Sequence, residues 1–359
     1  MSKFVACVTV AFFAGFQVRS WNTLDCVQKP VAVPVPGVET SLEANIRAKQ
    51  QRRLDHPTTE NEEGLIKAVH DDYALASSES FGFFTDVPAA TWKRQRNRHQ
   101  TTAHRGWGHP NAPNVWYAHN SEPSFTCQHE LRLGGTGDGP KWVCDPHRLT
   151  AQKDCLVYSV GSNNNFEFEK SVYNDIGPHC EIHTFDPSVS FVKATNRPDY
   201  VNYHHWGFSA SDLNVEDPGL ESKQGVGQNA NQNTWVMRSL ATAVKHLGHE
   251  GRSIHLFKID CEGCEFHRNP ARESFWDTMA GVDIDIRQIL VELHYRTDTK
   301  VANPQTGAIS PYPAAWWFFE RMKTNGYAIF HKEPNTEGCK GDCIEFSLIH
   351  LADGFFENK

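Results

Sequence analysis

Two stretches of this chain pair a lone glycine with a distant acid. In Cys155-Leu-Val-Tyr-Ser159-Val-Gly161-Ser162-Asn163-Asn-Asn165-Phe an apolar run stops at one glycine and a polar turn, and in Glu181-Ile-His-Thr-Phe-Asp186-Pro a second apolar run closes on an acid. A helix-length segment from Phe166 to Ile176 lies between them, so the order reads strand, helix, strand. In such a unit the glycine lets the backbone approach a ligand, and the acid closing the second strand accepts hydrogen bonds from ribose hydroxyls. The chemistry indicated is nucleoside binding by Gly161, Ser162, Asn163 and Asp186, with the Ser159 hydroxyl as a further hydrogen-bonding contact.

A pyrophosphate cradle uses G-x-G-x-x-G, and this turn supplies only Gly161. That argues against a dinucleotide and hence against a nicotinamide-dependent oxidoreductase. S-Adenosylmethionine carries no phosphate, and a turn with one glycine and polar neighbours suffices for it. On these residues alone a second reading stands equal: an ordinary α/β turn whose Asp186 caps a following helix through Pro187 and Ser188.

Two later runs have the same form. Ile254-His-Leu-Phe-Lys-Ile-Asp260-Cys-Glu262-Gly263-Cys-Glu265 ends in acids and glycine, as does Gln288-Ile-Leu-Val-Glu292-Leu-His294 in an acid and a histidine. Strand carboxyl ends border the ligand crevice of a parallel sheet, so Asp260, Glu262, Glu292 and His294 are expected to converge there with Gly161 and Asp186. Removing a proton from a hydroxyl needs a base, for which Asp260, Glu292 and His294 are the candidates, His294 having the unperturbed pKa nearest neutrality. Asp260 also stands close enough in order to share in cofactor binding, and Glu262, Glu292 and His294 are assigned to the acceptor. The same groups offer oxygen and nitrogen ligands, but simple hydrogen bonding is preferred and no metal is assigned. Cys261 and Cys264 form C-x-x-C without the second pair that a four-cysteine zinc site needs, which favours a structural cysteine pair.

The order K-I-D-x-E-G-x-E after a glycine turn and F-D-P resembles the FkbM-type branch of class I S-adenosylmethionine-dependent methyltransferases. The segment Arg132-Leu-Gly-Gly-Thr-Gly-Asp-Gly-Pro-Lys-Trp-Val-Cys144, running into Tyr158-Ser-Val-Gly, resembles a eukaryotic secretory methyltransferase-like subgroup. The likeness covers residues 125 to 350. It implies a Rossmann-like methyltransferase fold, S-adenosylmethionine as donor and O-methylation as the chemistry, with a glycan or small-molecule hydroxyl as acceptor. The family turn reads D-x-G-x-N-x-G; here Ser159 replaces its acid and Asn165 its last glycine, a position where asparagine tolerates a left-handed backbone. Those two replacements favour the alternative, a non-catalytic lumenal binding module on the same fold.

The elements that must position these residues follow from the apolar runs. Strands are expected near 156–160, 181–186, 201–206, 254–260 and 286–294, then a hairpin near 326–331 and 344–350. Helices are expected at Thr234-capped Trp235 to Leu247 and at Pro313 to Thr324. The result is a doubly wound, mostly parallel seven-stranded sheet with a C-terminal antiparallel hairpin, over residues 125–359. Ser211 to Gln232, rich in Gly, Asn and Gln, reads as an insertion over the site or a surface loop.

Ahead of it, residues 21–124 read as a less regular extension: a proline-spaced stalk from Lys29 to Gly37, helices at Ser41 to Arg53 and Glu63 to Ala76, and a linker from His104 to Asn114. Trp92, Trp107, Trp116 and Tyr117 are expected to pack on the main domain. Lys3 before an apolar run from Phe4 to Val18, ended by Arg19, gives residues 1–20 the form of a signal peptide or short signal anchor. The expected location is the secretory pathway, secreted or in the Golgi lumen, with membrane contact only through an uncleaved anchor.

Ten cysteines suit that oxidising compartment. Cys127 with Cys144 and Cys339 with Cys343 are candidate disulfides. Loss of Cys7 with the signal leaves nine, so at least one is expected free or paired between chains. A formal charge of −8 over 359 residues argues against a general nucleic-acid surface. The single basic run, Lys93 to Arg98, reads as a solvated linker.

Overall fold

The computed structural model describes residues 59–102, 120–190, 192–215, 235–261, 264–265, 275–282, 284–294, 313–339 and 343–357. The expected signal, stalk, first helix and linker lie outside these residues, as do Glu262, Trp107, Trp116, Tyr117 and most of the Ser211 to Gln232 segment. Residues from Glu63 onward form one compact unit. No helix among the described residues is long and apolar enough to cross a membrane.

In chain order the elements are α1 (Thr59–Glu79), α2 (Ala89–Thr101), a hairpin of β1 (Glu130–Leu133) and β2 (Lys141–Cys144), α3 (Pro146–Thr150), β3 (Cys155–Val160), and α4 (Glu167–Ser171) continued by a π-helical turn (Val172–Ile176). Then come β4 (Cys180–Phe185), β5 (Val201–His204), the short β6 (Gly207–Phe208) and β7 (Met237–Arg238), α5 (Leu240–Leu247), β8 (Ser253–Ile259), a 3-10 turn (Phe275–Gly281), β9 (Asp285–His294), α6 (Pro313–Thr324), β10 (Tyr327–Asn335), β11 (Cys343–His350) and α7 (Asp353–Phe356).

The central sheet has seven strands in the order β10-β11-β9-β8-β3-β4-β5. Pairing is parallel from β9 through β5, and β11 runs antiparallel to both β9 and β10. This is the expected Rossmann-like, mostly parallel sheet with its C-terminal hairpin. Strands buried on both faces need continuous apolar sequence, and β3 is buried at every position. Alternate residues feed two cores: Leu156, Tyr158 and Val160 face one with Trp206 and Phe257, while Cys155 and Val157 face the other with Phe168 and Ile182.

Local departures have local causes. Helix α5 begins at Leu240 rather than Trp235, because Met237 and Arg238 pair with Gly207 and Phe208 and Ser239 supplies the cap, accepting from Thr242 N at 3.2 Å. The basic run from Lys93 to Arg98 is not a linker but the middle of α2. Its Arg96 is buried and pairs with Glu79 at 3.3 Å, and the neighbouring Trp92 donates its ring N–H to Glu79 at 2.7 Å. Trp92 packs against Phe84, Phe125 and Phe355, on the main domain as expected.

Among the described residues four disulfides join Cys127–Cys144, Cys155–Cys180, Cys261–Cys264 and Cys339–Cys343. Three match the expected pairs. The fourth, Cys155–Cys180, is not among them, although the sequence carries its signal: each cysteine stands six residues before the glycine or acid that ends its strand, Gly161 or Asp186. Equal offsets on neighbouring parallel strands put the two cysteines in register.

Candidate active site

At the carboxyl ends of β3, β4 and β8 lies a cleft of about 460 Å³, a volume within the range of small-molecule sites. Gly161, Ser162, Asn163, Asp186, Pro187, Ser188, Lys258 and Asp260 line it from the strand ends. Phe208, Trp235 and Met237 give it an apolar wall, and Gly134, Asp138 and Gly139 of the β1–β2 loop form the opposite rim.

Glycine is required at 161 for two reasons. Its φ of +81° is left-handed, and a Cβ there would stand 1.6 Å from the carbonyl oxygen of Asp260. The turn continues through Asn163 at φ +44° and Asn164 at φ +61°. Asparagine does take the left-handed positions, but at 163 and 164 rather than at Asn165, whose side chain instead accepts from Glu167 N at 3.1 Å to open α4.

Asp186 holds this turn. Its Oδ2 accepts from Ser162 N at 2.9 Å, Ser162 Oγ at 3.0 Å and Asn163 N at 2.8 Å, while Oδ1 accepts from Ser188 N at 2.9 Å and Ser188 Oγ at 2.6 Å. A carboxylate offers about four lone-pair sites, and in this arrangement five protein donors, two of them rotatable hydroxyls, share them. The acid is at the cleft beside Gly161, as expected, and its bonds there hold the backbone of the turn. The bonds to Ser188 close an Asx turn, and among the described residues no helix follows it to be capped.

Ser159 lies inside the wall rather than on it. It is fully buried, absent from the cleft lining, and its hydroxyl makes no hydrogen bond among the described residues.

The acceptor-side residues form a charge cluster around a cation that sequence reasoning gave no role. Lys141, at the start of β2 and 1% exposed, reaches Asp260 Oδ2 at 3.1 Å and Glu345 Oε1 at 2.8 Å. Burial works against its charge, but the surrounding carboxylates keep it protonated far beyond the usual lysine range. Burial would raise Asp260 too, yet Lys141 and Lys258 outweigh it and hold that carboxyl well below the usual range. Glu292 goes the other way. Burial first, then the charges of Asp260 and Glu345, push it up to about 9, so at neutral pH it is protonated and hydrogen-bonded to Asp260. Burial lifts Glu345 to about 7 against the pull of Lys141.

Of the expected acceptor-side groups that are described, only Asp260 opens on the cleft, its side chain 17% exposed. Glu292 stands behind it, 3% exposed, and takes Asn335 Nδ2 at 2.8 Å. His294 ends β9 against the buried Glu265, Nδ1 to Oε1 at 2.5 Å. Burial disfavours its charge, but Glu265 overcomes this and raises it to about 9, which makes His294 a cation at neutral pH and not a ready base. Lys258 donates to Gly161 O at 2.7 Å and so bolts the glycine turn to β8.

Sheet order and cleft together define a Rossmann-like, methyltransferase-type domain. A family model described as a methyltransferase domain matches residues 74–350, and the chain belongs to that family. None of the curated proteins matches the chain. Among solved structures, a Methanococcus jannaschii fibrillarin, a pre-rRNA processing protein, is similar at 10% identity and a TM-score of 0.30, covering 56% of this chain and 69% of its own.

Proposed function

We propose that this protein is an S-adenosylmethionine-dependent methyltransferase acting on a hydroxyl of a glycan or small molecule in an oxidising, secretory compartment. The observation that carries the reading is the convergence of Gly161, Asp186 and Asp260 on one nucleoside-sized cleft at the strand ends of a methyltransferase-family domain. The cleft fits the donor in its pressed-down glycine turn, its apolar wall and its anionic Asp260, which suits a cationic ligand. When bound, the donor supplies a methyl group already activated on a sulfonium.

The residues of this chain then position the reactants. The Gly161 to Asn163 backbone, held by Asp186, and the wall of Phe208, Trp235 and Met237 hold the donor. Asp260, with its charge stabilised by Lys141 and Glu292, is a weak base but a strong hydrogen-bond acceptor, so its part is to aim the acceptor hydroxyl, whose proton passes to water in the open cleft as the oxygen gains the methyl group. Glu292, protonated at neutral pH, donates to it, and His294, a cation held by Glu265, adds positive charge nearby. Four disulfides and the apolar run from Phe4 to Val18 support the compartment.

The buried Ser159, where the resembling family has an acid, favours a second reading in which the cleft binds without turnover. Calorimetry with S-adenosylmethionine and its demethylated product, followed by labelled-methyl transfer into a lumenal extract, separates the two. Binding with transfer supports the enzyme and binding without transfer the module; a folded protein that binds neither ligand ends both.

A further inference from the structure

A second polar cluster sits at the opposite end of β4 from Asp186, which follows its last residue. Five residues of about 3.3 Å each separate Glu181 from Asp186, roughly 16 Å along β4. Glu181 and His183 project from one face of β4 beside Tyr158 of β3, and His249 reaches them from just beyond α5. His183 Nε2 lies 2.9 Å from Glu181 Oε1, and His249 Nε2 lies 3.4 Å from the same oxygen. The three ligand atoms all fall within 4.8 Å of one another.

The other ring nitrogens are occupied in a way that aims these three inward. His183 Nδ1 pairs with His204 Nε2 at 2.9 Å, the two rings within 2° of parallel, and His249 Nδ1 pairs with Tyr158 OH at 2.7 Å. Glu181 Oε2 takes Arg252 at 2.7 Å, and Arg252 is itself neutralised by Asp154. Oε1 is thereby left facing the two imidazoles. This is the arrangement of metal-binding histidines, in which a bond to the second nitrogen sets tautomer and ring orientation.

We propose that Glu181, His183 and His249 form a divalent-metal site, suited first to zinc, separate from the cleft. Zinc bonds of about 2.0–2.1 Å in tetrahedral geometry place ligand atoms about 3.3 Å apart, close to the 2.9 and 3.4 Å from Glu181 Oε1 to the two imidazoles. Binding needs both histidines neutral with the proton on Nδ1, donated to His204 and to Tyr158, and the metal replaces the Nε2 contacts with Glu181. Burial holds His183 and His249 below the usual histidine range, so neither must lose a charge at neutral pH. The Glu181 side chain is 40% exposed, which gives an ion a way in and leaves a fourth position for water. Two other groupings, Cys155 with His179 and Cys180, and Glu292 with His294 and Cys343, have their sulfurs committed to disulfides. The site's effect is to tie β4 to the connection between α5 and β8.

The test uses the full chain, stripped with chelator, dialysed, and titrated with zinc alone against a chromophoric competitor, with metal content read by mass spectrometry. Wild type is expected to take up one zinc more than His249→Gln and to gain melting temperature on zinc addition, with the variant at least tenfold weaker in affinity. Glu181→Gln, at a half-exposed position, gives the same comparison should His249→Gln fail to fold. Equal zinc uptake and equal thermal response in wild type and both variants, or no uptake by folded wild type, overturns the site. Failure here leaves donor binding at the cleft intact, so the two readings stand or fall separately.

Discussion

The carbonyl oxygen of Asp260 occupies the space where a side chain on Gly161 would begin, 1.6 Å from the ideal Cβ position. Strands β3 and β8 therefore close on each other at the point where the cleft starts. Gly161→Ala is expected to push them apart, with about 1–3 kcal/mol of backbone strain added by the left-handed φ. Thermal melting together with donor calorimetry reads both effects. A variant with wild-type melting temperature and wild-type affinity would show that the turn does not depend on this contact.

Asp186 is predicted to act through the turn it holds. Asp186→Asn keeps the shape but turns an acceptor into a donor that faces the N–H groups of Ser162 and Asn163 or of Ser188. Donor affinity should drop at least tenfold, with the loss mostly in the rate of dissociation as the turn loosens. If Asp186→Asn binds normally while Ser162→Ala with Ser188→Ala does not, the carboxylate charge is not what orders the backbone.

The protonated Glu292 sets an alkaline limit on stability. Its folded-state value of about 9 lies above the ordinary 4.5, so the folded protein holds a proton the unfolded chain has released, and stability falls as pH rises through that window. His294, raised to about 9 from 6.5, adds to the decline above 6.5. The melting temperature should fall between pH 6.5 and 9, and Glu292→Gln should flatten part of that slope. Parallel slopes in the two proteins would mean that Glu292 is ionised throughout.

Removing Cys155–Cys180 by a double alanine substitution should cost about 3.5 kcal/mol, the chain-entropy value for a loop of this length. The bond joins the first residues of β3 and β4, whose far ends carry Gly161 and Asp186. Chemical denaturation of the double variant checks the figure. A loss under about 1 kcal/mol would show that strand pairing alone holds the register.

How much of this was legible follows from where each signal is written. The strands could be read because each is a short apolar run, three of which stop at Gly161, Asp186 or Asp260, and these residues fell at one edge because parallel strands must end together. Lys141 could not be read as their partner, since it stands 119 residues from Asp260 and 204 from Glu345, with nothing local to link them. The forms of Glu292 and His294 were hidden for the same reason: burial beside Asp260 in one case and beside Glu265 in the other decides them, and residue type alone points the opposite way. The start of α5 was misplaced because the pairing of Met237 with Gly207 overrides the helical pattern around Trp235.

The hairpin that precedes the sheet has a practical bearing on any shortened form of this protein. A fragment cut to begin at Cys155 would retain all seven strands and every acid of the cluster, yet it would lack the ammonium group at their centre. Asp260 and Glu345 would then face each other without the cation between them, and the minimal working unit must reach back past Lys141 to the Cys127 end of the Cys127–Cys144 staple.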